Sequence, residues 1–179
     1  PPPTPPPIPP SPHHHPPPPP QVATFGEDKY DAILTSMLSA SFKLPKTSVF
    51  LCIGPLAAKM EFLDSARDLL ALGLAVYCSQ GTHDFFQSHG LEVKLLQKPL
   101  GKVEPNIGTF IDSGKIDLVI NVRDSHASED SITDGYLIRR KAVDSLVPLL
   151  TDIKLAVLIV AAMARKKKPT IKAWDQFGS

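Results

Sequence analysis

Long apolar runs are missing from this chain. No stretch free of charged or polar residues reaches the roughly 18 residues that a membrane span needs, so a soluble protein with no membrane partner is expected. Charge of one sign is missing too: Lys and Arg total 19 against 18 Asp and Glu, a formal net charge of +1. That balance supplies no general attraction for nucleic acid or an anionic surface, so any electrostatic role is local. Cysteine is scarce. Cys52 and Cys78 lie in apolar, strand-like runs without the close spacing of a metal cluster and read as reduced core residues. No metal and no cofactor is called for. The G-x-x-x-x-G-K-S/T phosphate loop is absent, as are the charged start, apolar centre and small-residue cleavage site of a secretory signal. The expected location is the cytoplasm.

Proline, by contrast, is abundant and badly distributed. Most of the 20 prolines fall in "PPPTPPPIPPSPHHHPPPPP", which favours polyproline II over a packed core. Residues 1–23 therefore read as a tail or linker, residues 24–47 as a helical lead-in, 48–168 as one domain and 169–179 as a C-terminal tail. The tract also carries the PxxP spacing that SH3 and WW domains bind. His13, His14 and His15 within it read as compositional.

Past the tract the pattern alternates. Apolar runs at 49–54, 74–78, 91–96, 117–121 and 147–150 read as strands. Amphipathic stretches at 57–72, 82–89, 105–114, 134–146 and 153–166 read as helices, after a lead-in helix carrying Ile33, Leu34, Met37, Leu38 and Phe42. Such alternation predicts a parallel sheet covered on both faces. In such sheets ligands bind beyond the carboxyl ends of the strands.

One strand-to-helix turn stands out: "YCSQGTHDFF". Gly81 tolerates backbone that a Cβ resists, and Ser79 and Thr82 offer hydroxyls beside a helix N-terminus, the ingredients of a phosphate or carboxylate cradle. Thr82 as a plain helix cap is an equal reading. Lys59, Lys98 and Asn121 fall at the carboxyl side of the first, third and fourth strands, on the same rim. Asp124, Glu129, Asp130 and Asp134, in the later loop, read as surface carboxylates, and "ARKKKP" at 164–169 as cations at a helix end.

These stretches carry a resemblance. "SASFKLPKTSVFLCI", "LGLAVYCSQGTHDFFQSHGLEV", "EPNIGTFIDSGKIDLVINV" and "DGYLIRRKAVDSLVPLLTD", in this order, resemble the methylglyoxal-synthase-like domain, most closely its form at the carboxyl end of the carbamoyl-phosphate synthetase large chain. The resemblance implies a flavodoxin-like α/β three-layer sandwich with a five-stranded parallel sheet of order 3-2-1-4-5. It implies an allosteric domain without catalytic residues of its own, partnered by the catalytic synthetase units of a parent chain in pyrimidine biosynthesis. Ser79, Gly81 and Thr82 match the T-x-G-T turn that holds an effector phosphate in relatives, and Lys59, Lys98 and Asn121 match further effector contacts. The effector implied is UMP, UTP or phosphoribosyl pyrophosphate, with N-acetylglutamate in a urea-cycle form as the main rival. A phosphate-eliminating enzyme of the methylglyoxal synthase type is the other alternative, although "KPLGKVEPNIG" lacks the family's G-D-Q aspartate. Ser79 replaces the usual threonine, and Glu104 stands where arginine is common in G-R-P-N-I, which reverses a charge. Of Arg139 and Arg140, at least one is expected to pair with a carboxylate inside the domain.

Overall fold

The computed structural model describes residues 23–98, 103–124 and 129–165. Its sheet is built from β1 (Ser48–Ile53), β2 (Ala75–Cys78), β3 (Lys94–Leu95), β4 (Leu118–Val122) and β5 (Leu149–Leu150). Every pairing is parallel and the order is β3-β2-β1-β4-β5. The central strand SVFLCI is apolar almost throughout because both its faces are covered.

On one face, Leu51, Val76 and Ile120 pack with Phe62, Leu69, Phe86 and Ile159. These last come from α3 (Leu63–Ala71) and the residue before it, α4 (Gln80–Ser88) and α7 (Ile153–Ala164). On the other face, Phe50 and Val119 meet Ile107 and Ile111 of α5 (Ile107–Asp112), and Ile138 and Ala142 of α6 (Glu129–Asp144). Two helical layers thus enclose the sheet, the flavodoxin-like three-layer arrangement the resemblance implies. The crossovers change face where β1 lies between β2 and β4, which opens a crevice beyond the carboxyl ends of β1 and β4.

Several elements differ from their sequence-based bounds, and three of the differences bear on the packing and the site. The helix expected over 57–72 is two, α2 (Leu56–Glu61) and α3, joined at Phe62, whose ring is fully buried where the chain bends into the core. The strand expected over 91–96 keeps two residues in the ladder, although Leu91 and Val93 on the approach are buried. The last crossover helix begins at Glu129, a full turn ahead of the residue expected.

The lead-in forms α1 (Lys29–Ser39), capped by the Asp28 carboxylate, which accepts from the N–H groups of Tyr30 and Asp31 at 2.9 Å. Arg165, at the end of α7, ties down this start: its guanidinium lies 3.7 Å from the Tyr30 ring centre and 3.3 Å from Asp28. Arg165 thus serves the α1 contact; the lysines after it lie outside the described residues, as do the proline tract and its histidines.

At the amino end of the sheet, Asp117 closes the entry to β1. Its carboxylate accepts from the N–H groups of Lys46, Thr47 and Ser48 at 2.9, 2.6 and 3.2 Å and from the Thr47 hydroxyl at 2.9 Å.

Candidate functional site

The six residues singled out in the sequence all map to the carboxyl end of the sheet, and each gets there for a local reason. β2 ends at Cys78, and Ser79 becomes the N-cap of α4 with extended backbone. Its side chain makes no capping bond. Thr82 sits inside the first turn, so it is not the cap; its buried hydroxyl accepts from the Ile53 N–H at 3.0 Å and donates to the Ile53 carbonyl at 3.2 Å. This fastens α4 to the end of β1. The Ser79 hydroxyl reaches Thr82 Oγ1 only at 3.3 Å, longer than the usual O–H···O range.

The N–H groups of Thr82 and His83 both turn back to the Ser79 carbonyl. Those of Gln80 and Gly81 have no acceptor among the described residues, so this helix start presents two donors and the positive end of its dipole outward. Above them stands Lys59, from the last turn of α2. Its Nζ is 3.7 Å from the point where a side chain on residue 81 would begin. Gly81 is not among the positive-φ glycines, and a Cβ there would make only ordinary contact with the lysine, so neither backbone nor packing within the domain requires glycine at this position. Among the described residues Lys59 forms no ion pair. Its field reaches Asp84, whose carboxyl is held below the ordinary value by the Gln80 hydrogen bond first, then by His83, with Lys59 adding to both.

Deeper in the crevice lies a second group of charges that the sequence did not disclose. Asp134, read there as a surface carboxylate, is buried, and it lies 3.8 Å from Lys98 Nζ. The correction has a plain cause: α6 starts a turn early and swings its first half over the sheet end. One turn on, Arg139 donates to Asn121 Oδ1 at 2.9 Å. A guanidinium only donates, so the amide orientation is fixed and Nδ2 points its hydrogens elsewhere. That Nδ2 is buried and has no hydrogen-bond partner among the described residues. Leaving such a group unsatisfied costs about 1–3 kcal/mol. Gly135 permits the approach, since a Cβ there would sit 3.2 Å from Arg139 Nη1. Arg140 pairs with Asp144 at 2.8 Å, the internal ion pair expected of the two arginines.

Cys52 joins the two groups. It is opposite Asn121 in the β1–β4 register. It is half-buried at this rim rather than sealed in the core. Burial pushes its thiol up, against the pull of Ser79 and Lys98, so it stays protonated and is not poised as a nucleophile. Burial raises Cys78 much further. Glu104 turns back on its own helix: it accepts from the Asn106 N–H at 3.0 Å, from Asn106 Nδ2 at 2.6 Å and from the Thr109 hydroxyl at 2.9 Å. Its negative charge serves the start of α5.

The site is therefore a cationic crevice at the carboxyl end of a doubly wound sheet, with Lys59, Lys98 and Arg139 around it and one buried carboxylate, Asp134. A doubly wound domain with basic residues along the carboxyl rim of its sheet is the class this defines. The chain belongs to the MGS-like domain family, which matches residues 61–151. It is 40% identical over 156 residues to the multifunctional protein CAD of Squalus acanthias, covering 80% of this chain and 7% of that protein. It is 31% identical over 157 residues to the mitochondrial carbamoyl-phosphate synthase (ammonia) of Homo sapiens, covering 86% of this chain and 10% of that one. Against the carbamoyl phosphate synthase large chain of Thermotoga petrophila the figures are 30% over 165 residues, 84% and 15%. This chain thus spans a small fraction of the relatives it matches. A methylglyoxal synthase from Elizabethkingia anophelis superposes with a TM-score of 0.48 at 19% identity, covering 65% of this chain and 78% of its own. Among the described residues no helix is long and apolar enough to cross a membrane.

Proposed function

We propose that this chain is an effector-binding regulatory domain of a carbamoyl-phosphate synthetase of pyrimidine biosynthesis, and that its effector carries a phosphate, a uridine nucleotide first among the candidates. The observation that carries the reading is the start of α4: two outward N–H donors under the Lys59 ammonium, with the space above Gly81 left open. A phosphate placed there receives charge-assisted hydrogen bonds from Gln80 and Gly81 and neutralisation from Lys59. The Ser79 hydroxyl, loosely held at 3.3 Å, can rotate toward it. Lys98 and the unpartnered Nδ2 of Asn121 suit the remainder of the ligand, a second phosphate or the sugar and base. Thr82 contributes by positioning α4.

In this reading the catalytic synthetase units are partners elsewhere in a longer cytoplasmic parent protein. The effector acts by binding one arrangement of those units more tightly than the other. Calorimetry of the chain with UMP, UTP, phosphoribosyl pyrophosphate, IMP and N-acetylglutamate tests it. Micromolar to millimolar binding of a phosphorylated member is expected, and binding of N-acetylglutamate alone would move the protein to the urea-cycle class and to mitochondria.

Asp134 favours a second reading. A buried carboxylate within ion-pair reach of Lys98 has the chemistry of a general base for phosphate elimination. Measurable methylglyoxal formation from a triose phosphate would establish that reading over the regulatory one.

A further inference from the structure

Among the described residues five helices, α1 and α3 to α6, end alike. A residue just past each helix turns left-handed, and paired backbone hydrogen bonds close the last turn. In three of them that residue is glycine, Gly73, Gly90 or Gly114, which takes the conformation without strain. In the other two it is Ser41 (φ 62°) and Leu146 (φ 55°), where a Cβ strains the backbone. Both exceptions line one groove. It lies at the end of the sheet opposite the rim, encloses about 370 Å³, and has Ser41, Phe42 and Lys43 on one side and Val143, Leu146 and Pro148 on the other. Leu146 is 84% open and Val143 58% open. An apolar side chain kept at a position that favours glycine, and left open to solvent, is accounted for by a contact with another molecule.

We infer that the groove is a dimer interface: a second copy of this chain docks there about a twofold axis, and each Leu146 enters the other copy's groove. A twofold contact requires a surface that complements itself, so that one residue meets a second while the second meets the first. This face carries both halves of such a contact side by side. Leu146 and Val143 project next to a hollow bounded by Phe42 and Pro148. The charges repeat the arrangement: Lys43 is exposed on one side and Asp144, next to Val143, is exposed on the other, so a half-turn sets each lysine against the other copy's Asp144. An unrelated partner would need only a knob or only a hollow, and charge of one sign. Access is open as well, because β5 is an edge strand paired to β4 alone. The patch is small for a stable interface, so a dissociation constant on the order of 100 μM is expected.

Sedimentation equilibrium of the full chain, from about 5 μM to about 1 mM, brackets that constant. The weight-average mass should climb from 19.4 kDa toward twice that value and level off. Leu146→Gly deletes the knob while suiting the left-handed backbone, so its thermal midpoint should match or exceed the parent's while dimerisation weakens at least about tenfold. Lys43→Asp and Asp144→Lys should each weaken dimerisation, and the double exchange should restore it by rebuilding the reciprocal pairs with reversed sign. A chain that stays monomeric at the highest concentration would overturn the interface. So would a dimer that Leu146→Gly leaves intact, or a double exchange that associates no better than either single one. A mass that rises past the dimer without a plateau would mean head-to-tail contacts and overturn the twofold arrangement.

Discussion

The two ends of the sheet treat their polar groups in opposite ways. At the amino end, Asp117 gathers three N–H groups and a hydroxyl on one carboxylate. Burial pushes that carboxyl up, but the hydrogen bonds from Thr47, Lys46 and Ser48 outweigh it and hold it below its ordinary value. At the carboxyl end, two helix N–H groups, a lysine and a buried amide have no partner of that kind among the described residues. A cluster that serves folding closes its hydrogen bonds internally, because each one left open costs stability. A cluster that serves a ligand must leave some open until the ligand arrives. The comparison sets a closed cluster against an open one within one small domain, and the proposed effector site takes the open one.

Four substitutions test that separation. The largest effect is expected for Lys59→Met, which removes the ammonium over Gly81 and should weaken a phosphorylated ligand by about 1.5–3 kcal/mol, roughly tenfold to hundredfold in affinity, by calorimetry. Folding stability should stay within about 0.5 kcal/mol, since the residue makes no ion pair in the described structure. Equal affinity would mean that the uncapped helix start holds no phosphate.

Thr82→Val keeps the branched shape but strands the Ile53 N–H and carbonyl, so urea denaturation should show a loss of about 1–3 kcal/mol. If stability were kept and affinity alone lost, Thr82 would belong to the ligand and not to the fold.

Asp117→Asn, at the closed end, should cost about 1–2 kcal/mol at neutral pH and leave ligand affinity alone. Its pH dependence has a definite sign. A carboxyl held low in the folded state stabilises above its unfolded value of about 3.9, and that contribution is lost as pH falls through the lower folded value. The parent chain should therefore lose this increment below about pH 4, and the Asn variant should have none of it to lose.

The smallest effect is the most discriminating. Gly81→Ala lies in a helix at ordinary backbone angles and should raise stability by about 0.5 kcal/mol. Its methyl would fill the space 3.7 Å from the Lys59 ammonium and should lower ligand affinity. Stability and affinity moving in opposite directions would mark Gly81 as part of the site; moving together, as part of the fold.

Much of this was legible in the residues. The uninterrupted apolar run of β1 and the alternation after it implied a covered parallel sheet, and the family resemblance supplied the strand order. The rim positions of Lys59, Ser79, Gly81, Lys98 and Asn121 followed from their places at strand ends. The inner half of the site was not legible. Asp134 looks like a loop carboxylate because its burial depends on where α6 starts, and Arg139 gives no sign in the chain that it will meet Asn121, 18 residues earlier. Cys52 read as a reduced core residue, and it is a free thiol, half-buried, packed against the cluster around Phe50 and Val119.

What the sequence by itself determined is the set of periodicities: which runs form strands, which form helices, and hence a parallel sheet covered on both faces. Those are local properties, fixed by side chains within a few residues of one another. What only the tertiary structure decided is the use made of each polar group: Thr82's hydroxyl spent on Ile53, Glu104's carboxylate on its own helix, and Asn121's amide and the first N–H groups of α4 left open. The reason is that hydrogen bonding depends on positions to within a few tenths of an ångström. Those positions are set only when elements far apart in the chain are packed together.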